Sequence, residues 1–116
     1  MSDLNIEKND VCTIVRVVKE KLDTNLAPVL KSEFVVMAGK GEKNIILDLS
    51  ATKYCDSSGL SAILIGNRLC RRNNGIFVLS GLQTAVERLI QISQLDTVLD
   101  ITDTAAAGVE FIKNNQ

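Results

Sequence analysis

The chain has 116 residues, of which 46% are apolar and 23% charged, and it contains three cysteines and no histidine. This length and composition are typical of one globular domain, and we expect residues 1–116 to form it. Thirteen basic residues against fourteen acidic ones leave a net charge of -1, so no excess positive field is available to bind nucleic acid. The lack of histidine excludes hydrolases that use a Ser-His or Cys-His pair.

The distribution of apolar residues argues against membrane insertion. No run approaches the roughly 20 apolar residues that cross a bilayer, and residues 1–10 are polar where a signal peptide would be apolar. The cysteines are odd in number and far apart, which supports neither a disulfide framework nor a paired-thiolate metal site. We therefore expect a cytoplasmic protein with reduced thiols.

The first half of the chain predicts strands and one helix. Periodicity, β-branched residues and turn residues predict strands at 4–7, 11–18 and 45–49, a turn at Asn9-Asp10 and a helix at 24–39. Asp23 or Thr24 is the expected helix cap. The inward face of this helix should carry Leu26, Val29, Leu30, Phe34 and Met37. The third strand is apolar throughout, which is typical of a strand covered on both faces at the centre of a sheet.

The second half continues the alternation of helices and strands. Its predicted elements are helices at 57–72 and 84–94, strands at 76–79 and 98–101, and a last helix after Thr102 or Asp103. Thr84 and Glu87 fit the spacing of a capping box. The whole pattern predicts an α/β fold, a layered domain with a mixed central sheet of four to five strands and about four helices.

The segment Asp56-Ser57-Ser58-Gly59-Leu60 follows a buried strand and opens a helix. Asp56 or Ser57 is the expected N-cap, and Ser58 then lies in the first turn, where the positive end of the helix favours added negative charge. Taken alone, the three polar residues could be capping residues only, with Gly59 as a point of close packing. The wider pattern around them is more specific.

That pattern resembles the STAS domain, and within it the bacterial anti-sigma factor antagonists, over about residues 11–112. The similarity is carried by the strand and loop Ile45-Ile46-Leu47-Asp48-Leu49-Ser50, by Asp56-Ser57-Ser58-Gly59-Leu60, and by an apolar helix that ends in Arg71-Arg72-Asn73-Asn74-Gly75. The stretches 86–95 and 98–101 are similar to the third helix and the last strand of the family.

The resemblance implies a partner-switching function without catalysis by the chain itself. An unmodified antagonist binds an anti-sigma factor, which is also a serine kinase of the histidine-kinase-like ATPase type, and phosphorylation ends that binding. A serine phosphatase resets the cycle. In the family motif the second serine accepts the phosphoryl group, which corresponds to Ser58, while Asp56, Ser57, Gly59 and Leu60 match the neighbouring motif positions.

Partner contacts outside the motif are predicted less directly. The family often carries Gly-Glu-Leu-Asp before its first helix, whereas this chain has Glu20-Lys21-Leu22-Asp23, so only Asp23 corresponds and Lys21 replaces an acidic residue. Two apolar stripes on the helix after the motif, one containing Ile65, have two explanations. The helix is either buried between the sheet and a second helix or carries an exposed docking patch beside Ser58.

Three further alternatives remain open from the sequence. The carboxylates of Asp23, Asp48 and Asp56 could meet at one end of the sheet and hold a cation, although we expect no metal and no cofactor. Cys55, next to a helix start, is either a redox sensor with a lowered thiol pKa or a buried thiol. A scaffold or transport-associated STAS domain that binds without modification is the alternative to the phosphorylated switch.

Overall fold

A computed structural model describes residues 3–116 and contains a five-stranded sheet in the order β1-β2-β4-β6-β7. β1 is antiparallel to β2, and the other neighbouring strands are parallel. The strands are β1 Leu4–Lys8, β2 Thr13–Val17, β3 Lys21–Leu22, β4 Ile45–Asp48, β5 Tyr54–Cys55, β6 Phe77–Ser80 and β7 Asp100–Thr102. The helices are α1 Ala27–Gly39, α2 Ser57–Arg72, α3 Thr84–Ile92 and α4 Ala105–Asn115, with a short 3-10 helix at Leu95–Thr97.

The mixed α/β architecture predicted from the sequence is confirmed. β4 lies at the centre of the sheet and all four of its residues are buried, as its apolar composition indicated. One face of the sheet packs against α1, α2 and α3, and the other face packs against α4. Within the first layer the rings of Phe34 and Phe77 meet edge to face, with centroids 5.8 Å apart. Gly66 of α2 lies against both rings, where an added Cβ would be 2.7–2.8 Å from them.

A second, two-stranded sheet was absent from the sequence prediction. β3 pairs with β5 in parallel, with Lys21 opposite Tyr54 and Leu22 opposite Cys55. We call this pair the β3–β5 ribbon. Strands of two residues carry too little periodicity to be recognised, and the sequence therefore predicted no strand at either position. The ribbon joins the segment before α1 to the segment before α2.

Several predicted helix ends are wrong by two or three residues. α1 begins at Ala27, because Asp23 closes a preceding turn in which its side chain accepts from the amides of Asn25 and Leu26. Val29 was expected to point inward, but it is 49% exposed, because the buried stripe of α1 runs through Ala27, Leu30, Phe34 and Met37. The N-cap of α3 is Gln83 without a side-chain cap bond, so Thr84 forms no capping box, and the helix ends at Ile92.

The last strand and the last helix both begin later in the chain than predicted. β7 covers Asp100–Thr102 in place of the predicted 98–101, because a 3-10 helix precedes it. Thr104 caps α4, since its hydroxyl accepts from the amide of Ala107, whereas Thr102 or Asp103 was predicted. The inward face of α4 is as predicted: Ile112 is fully buried and Ala105 and Val109 pack beside it.

Candidate functional site

The turn that opens α2 is organised by Asp56. Its carboxylate accepts from the amide of Gly59 at 3.0 Å, and its carbonyl accepts from the amide of Leu60 at 3.0 Å. Asp56 is therefore the N-cap, and Ser57 and Ser58 are the first two helical residues. α2 covers Ser57–Arg72, which are the bounds predicted from the sequence.

Ser58 lies where negative charge is tolerated. Asp56 already satisfies the amide of Gly59, whereas the amides of Ser57 and Ser58 have no acceptor among residues 3–116. Free amides at the start of a helix carry the positive end of its dipole. The Ser57 side chain is exposed, and the Ser58 side chain is half-buried.

Gly59 occupies a position that admits no side chain. An added Cβ would lie 2.5 Å from the carbonyl oxygen of Leu22 and 2.5 Å from the Sγ atom of Cys55. This confines the first turn of α2 against the β3–β5 ribbon. Gly59 is therefore a point of close packing, as one of the two interpretations predicted. The same contact fixes the position of Ser58, the residue before it.

Asp23 is brought to the same end of the molecule as the motif. Leu22 pairs with Cys55, and the amide of Asp56 donates to the carbonyl of Leu22 at 3.3 Å, so Asp23 and Asp56 follow neighbouring strands of the ribbon. Asp23 is half-buried, and one oxygen of its carboxylate accepts the two amide bonds of the turn before α1.

The packing of α2 shows whether its two apolar stripes are buried or exposed. Ala62 and Ile63 are fully buried, because α2 packs against both the sheet and α1. Leu60 is half-buried against the core, and Ile65 is half-buried about 10 Å further along the helix than Ser58. Burial therefore explains most of both stripes, and Ile65 remains partly accessible.

The carboxylates proposed as a cation site do not combine into one. No group of three candidate ligands comes together among residues 3–116. Asp48 lies at the end of β4, where it pairs with Arg16 at 3.3 Å and accepts from the amide of Ser50 at 2.9 Å. Asp56 caps α2 and Asp23 closes the turn before α1, so each carboxylate has a local structural partner.

Cys55 is not an activated thiol. Burial raises its pKa to about 12, and the neighbouring carboxylate of Asp56 acts in the same direction. A thiol with this pKa is almost entirely protonated at neutral pH. The alternative of a redox sensor with a lowered pKa is therefore wrong, and the buried thiol is the better description.

The sequence prediction missed the outer face of the ribbon beside this turn. Lys21 and Tyr54 are both exposed, whereas their neighbours Leu22 and Cys55 point inward. An open groove of about 440 Å³ adjoins Lys21 and is lined mainly by charged side chains. The available signal was Tyr54 itself, a lone aromatic residue within a polar loop.

Comparisons with known proteins agree on one family. Residues 3–108 match the STAS domain. The anti-sigma-B factor antagonist of Bacillus subtilis is 26% identical over 108 residues, which cover 93% of this chain and 97% of the relative. A crystal structure of a Thermotoga maritima protein assigned as an anti-sigma factor antagonist has a TM-score of 0.84 and 26% identity, covering 95% of this chain and 94% of that one.

A second similar structure is the Bacillus cell fate determinant SpoIIAA in its phosphorylated form. It has a TM-score of 0.71 and 18% identity, and the similarity covers 90% of this chain and 95% of that one. At this identity the likeness shows the fold alone. Within residues 3–116, no helix has the length and apolar character needed to cross a membrane.

Proposed function

The chain belongs to the STAS domain family, and we propose on that basis that it is an anti-sigma factor antagonist that works by partner switching. Unmodified, the domain of residues 1–116 binds an anti-sigma factor in the cytoplasm. That partner is a serine kinase of the histidine-kinase-like ATPase type. It phosphorylates Ser58 and is released, and a serine phosphatase restores the unmodified form. The chain itself is a binding module without catalytic activity.

The observation that carries the proposal is the position of Ser58 in the first turn of α2. Two free amides lie in this turn, and the helix dipole favours negative charge there. Asp56 holds the turn by bonding to Gly59, and Gly59 packs against Leu22 and Cys55. A phosphoryl group can therefore be added without loss of the helix cap.

Release of the partner follows from the charge that is added. A phosphoserine carries about -1.5 to -2 charge at neutral pH and three acceptor oxygens. Because Ser58 is half-buried in the free protein, a partner that covers this turn would have to remove the remaining water from that charge. The switch thus requires no change of fold.

Phosphoryl transfer to single-residue variants tests the assignment. The chain is incubated with an extract of its source cells and ATP labelled on the γ-phosphate, and the kinase is purified by following this activity. We expect Ser58→Ala to abolish labelling, because no other hydroxyl occupies the same position in the turn.

Ser57→Ala is the matched control, since Ser57 is the adjacent and more exposed hydroxyl. We expect it to be labelled as well as the natural chain. Undiminished labelling of Ser58→Ala would refute the assignment. If the natural chain is not labelled at all, the scaffold or transport-associated role is favoured over the switch.

A further inference from the structure

One aromatic side chain, that of Tyr54, lies outside the hydrophobic core. Phe34 is 0% exposed and Phe77 is 1% exposed, and Phe111 packs against the second core cluster, whereas Tyr54 is 57% exposed. Its phenol forms no hydrogen bond with any of residues 3–116, and its backbone pairs with β3 in the ribbon, where its amide donates to the carbonyl of Glu20. The side chain of Tyr54 therefore contributes little to folding. Exposed tyrosines with this character are enriched at the centres of protein interfaces.

Lys21 lies directly beside Tyr54. The two residues are opposite each other in the β3–β5 ribbon, and because Leu22 and Cys55 face the interior, Lys21 and Tyr54 share the outer face. Lys21 is exposed and forms no ion pair within the described part of the chain, whereas the nearby lysines do: Lys19 lies 4.0 Å from Asp3, and Lys53 lies 3.4 Å from Glu20. Its ammonium group is free for a partner.

This outer face is continuous with the turn that carries Ser58. Tyr54 precedes the cap residue Asp56 by two positions, and the ribbon is bonded to that cap through the carbonyl of Leu22. The groove of about 440 Å³ continues from Lys21 towards Asp23 and Asn25. A protein that brings an active site to Ser58 would therefore have the ribbon within its footprint.

We propose that Lys21 and Tyr54 form a specificity contact for the kinase that modifies Ser58. This inference rests on the proposed function. The chemistry of the pair defines the matching surface of the partner, which is an apolar slot that accepts the phenol ring next to a carboxylate that pairs with the ammonium group. Burial of the ring contributes affinity, and the charge pair contributes orientation and rate of association.

Labelling of Ser58 by the purified kinase, measured over a range of chain concentrations, tests the contact. We expect Tyr54→Ala to raise KM about tenfold or more, as is usual for an aromatic anchor, with the thermal unfolding midpoint unchanged. Tyr54→Phe should restore most of the affinity, because the ring and not the hydroxyl fills the slot. Lys21→Glu should also raise KM, and its effect should decrease at high salt.

Two controls exclude general surface effects. Ile92→Ala removes an apolar side chain that is 74% exposed at the end of α3, and Lys40→Glu reverses an exposed charge after the far end of α1, about 20 Å from its start. Both should leave KM unchanged. If the natural chain is labelled and Tyr54→Ala and Lys21→Glu are labelled with the same KM, the contact is refuted while the switch stands. Absence of labelling in the natural chain would instead refute the proposed function.

Discussion

Replacement of Ser58 by aspartate is expected to weaken binding of the purified kinase by about 100-fold. An interface that covers Ser58 would have to desolvate a carboxylate without supplying a cation, and such a charge costs several kcal/mol, where 1.4 kcal/mol corresponds to a factor of ten. The half-buried position of Ser58 makes this cost larger than at an open surface. Calorimetric titration of the kinase with the variant and with the natural chain measures the difference.

The fold should not suffer from the same substitution. A carboxylate in the first turn of a helix is stabilising by about 0.3–1 kcal/mol, so Ser58→Asp should unfold at the same urea concentration as the natural chain or a slightly higher one. Ser57→Asp is the matched control, because it adds the same charge at the adjacent exposed position. Equal binding of the kinase to Ser58→Asp and the natural chain would contradict the electrostatic mechanism of release.

Phe34→Ala is expected to cause a larger loss of stability than any other variant proposed for this chain. Phe34 is completely buried, packs edge to face on Phe77 and contacts Gly66 of α2, so its truncation leaves a cavity where α1, α2 and the sheet meet. The expected cost is about 3–5 kcal/mol, against a total of about 6–17 kcal/mol for a chain of this length. Urea denaturation followed by far-ultraviolet circular dichroism measures it.

Two further variants define the origin of this loss. Phe34→Leu retains much of the side-chain volume and should cost roughly 1–2 kcal/mol. Val35→Ala truncates the next residue of the same helix, which is 57% exposed, and should change stability by about 0.5 kcal/mol at most. A loss from Phe34→Ala no larger than that from Val35→Ala would show that the packing at Phe34 is not as described.

The elements that the sequence predicts well are those whose pattern is long and repeated. α2 has sixteen residues with the Asp56 cap at its start, and both of its predicted bounds agree with the structure. The apolar run of β4 likewise predicted its central place in the sheet. In these segments local propensity and burial favour the same conformation, so tertiary contacts have nothing to override.

The features that the sequence did not predict depend on contacts between distant residues. The β3–β5 ribbon consists of two strands of two residues that are 33 positions apart, and only their pairing reveals that Tyr54 lies next to Lys21. Asn44 is a similar case, because its amide group bonds to Val11, Ile76 and Gln116 and joins three separate segments. The cap of α3 was misassigned because Gln83, which has little preference for this position, begins the helix.

The candidate site was partly accessible to sequence reasoning. The motif at residues 56–60 and its place at a helix start could be predicted, since a cap residue after a buried strand has a clear local signature. The close contact of Gly59 with Leu22 could not, because it depends on the ribbon, and the half-buried state of Ser58 has no local signature in the sequence. The raised pKa of Cys55 also depends on tertiary packing, since burial is its main cause and the carboxylate of Asp56 adds to it.

Site-resolved mass spectrometry of the chain, purified from its own cells under several growth conditions, is the most direct test of the central proposal. Regulation at the start of α2 predicts a fraction of molecules that carry one phosphoryl group, localised to Ser58, and a change in that fraction with conditions. Phosphate found only at other residues, or found under no condition, would contradict the proposal.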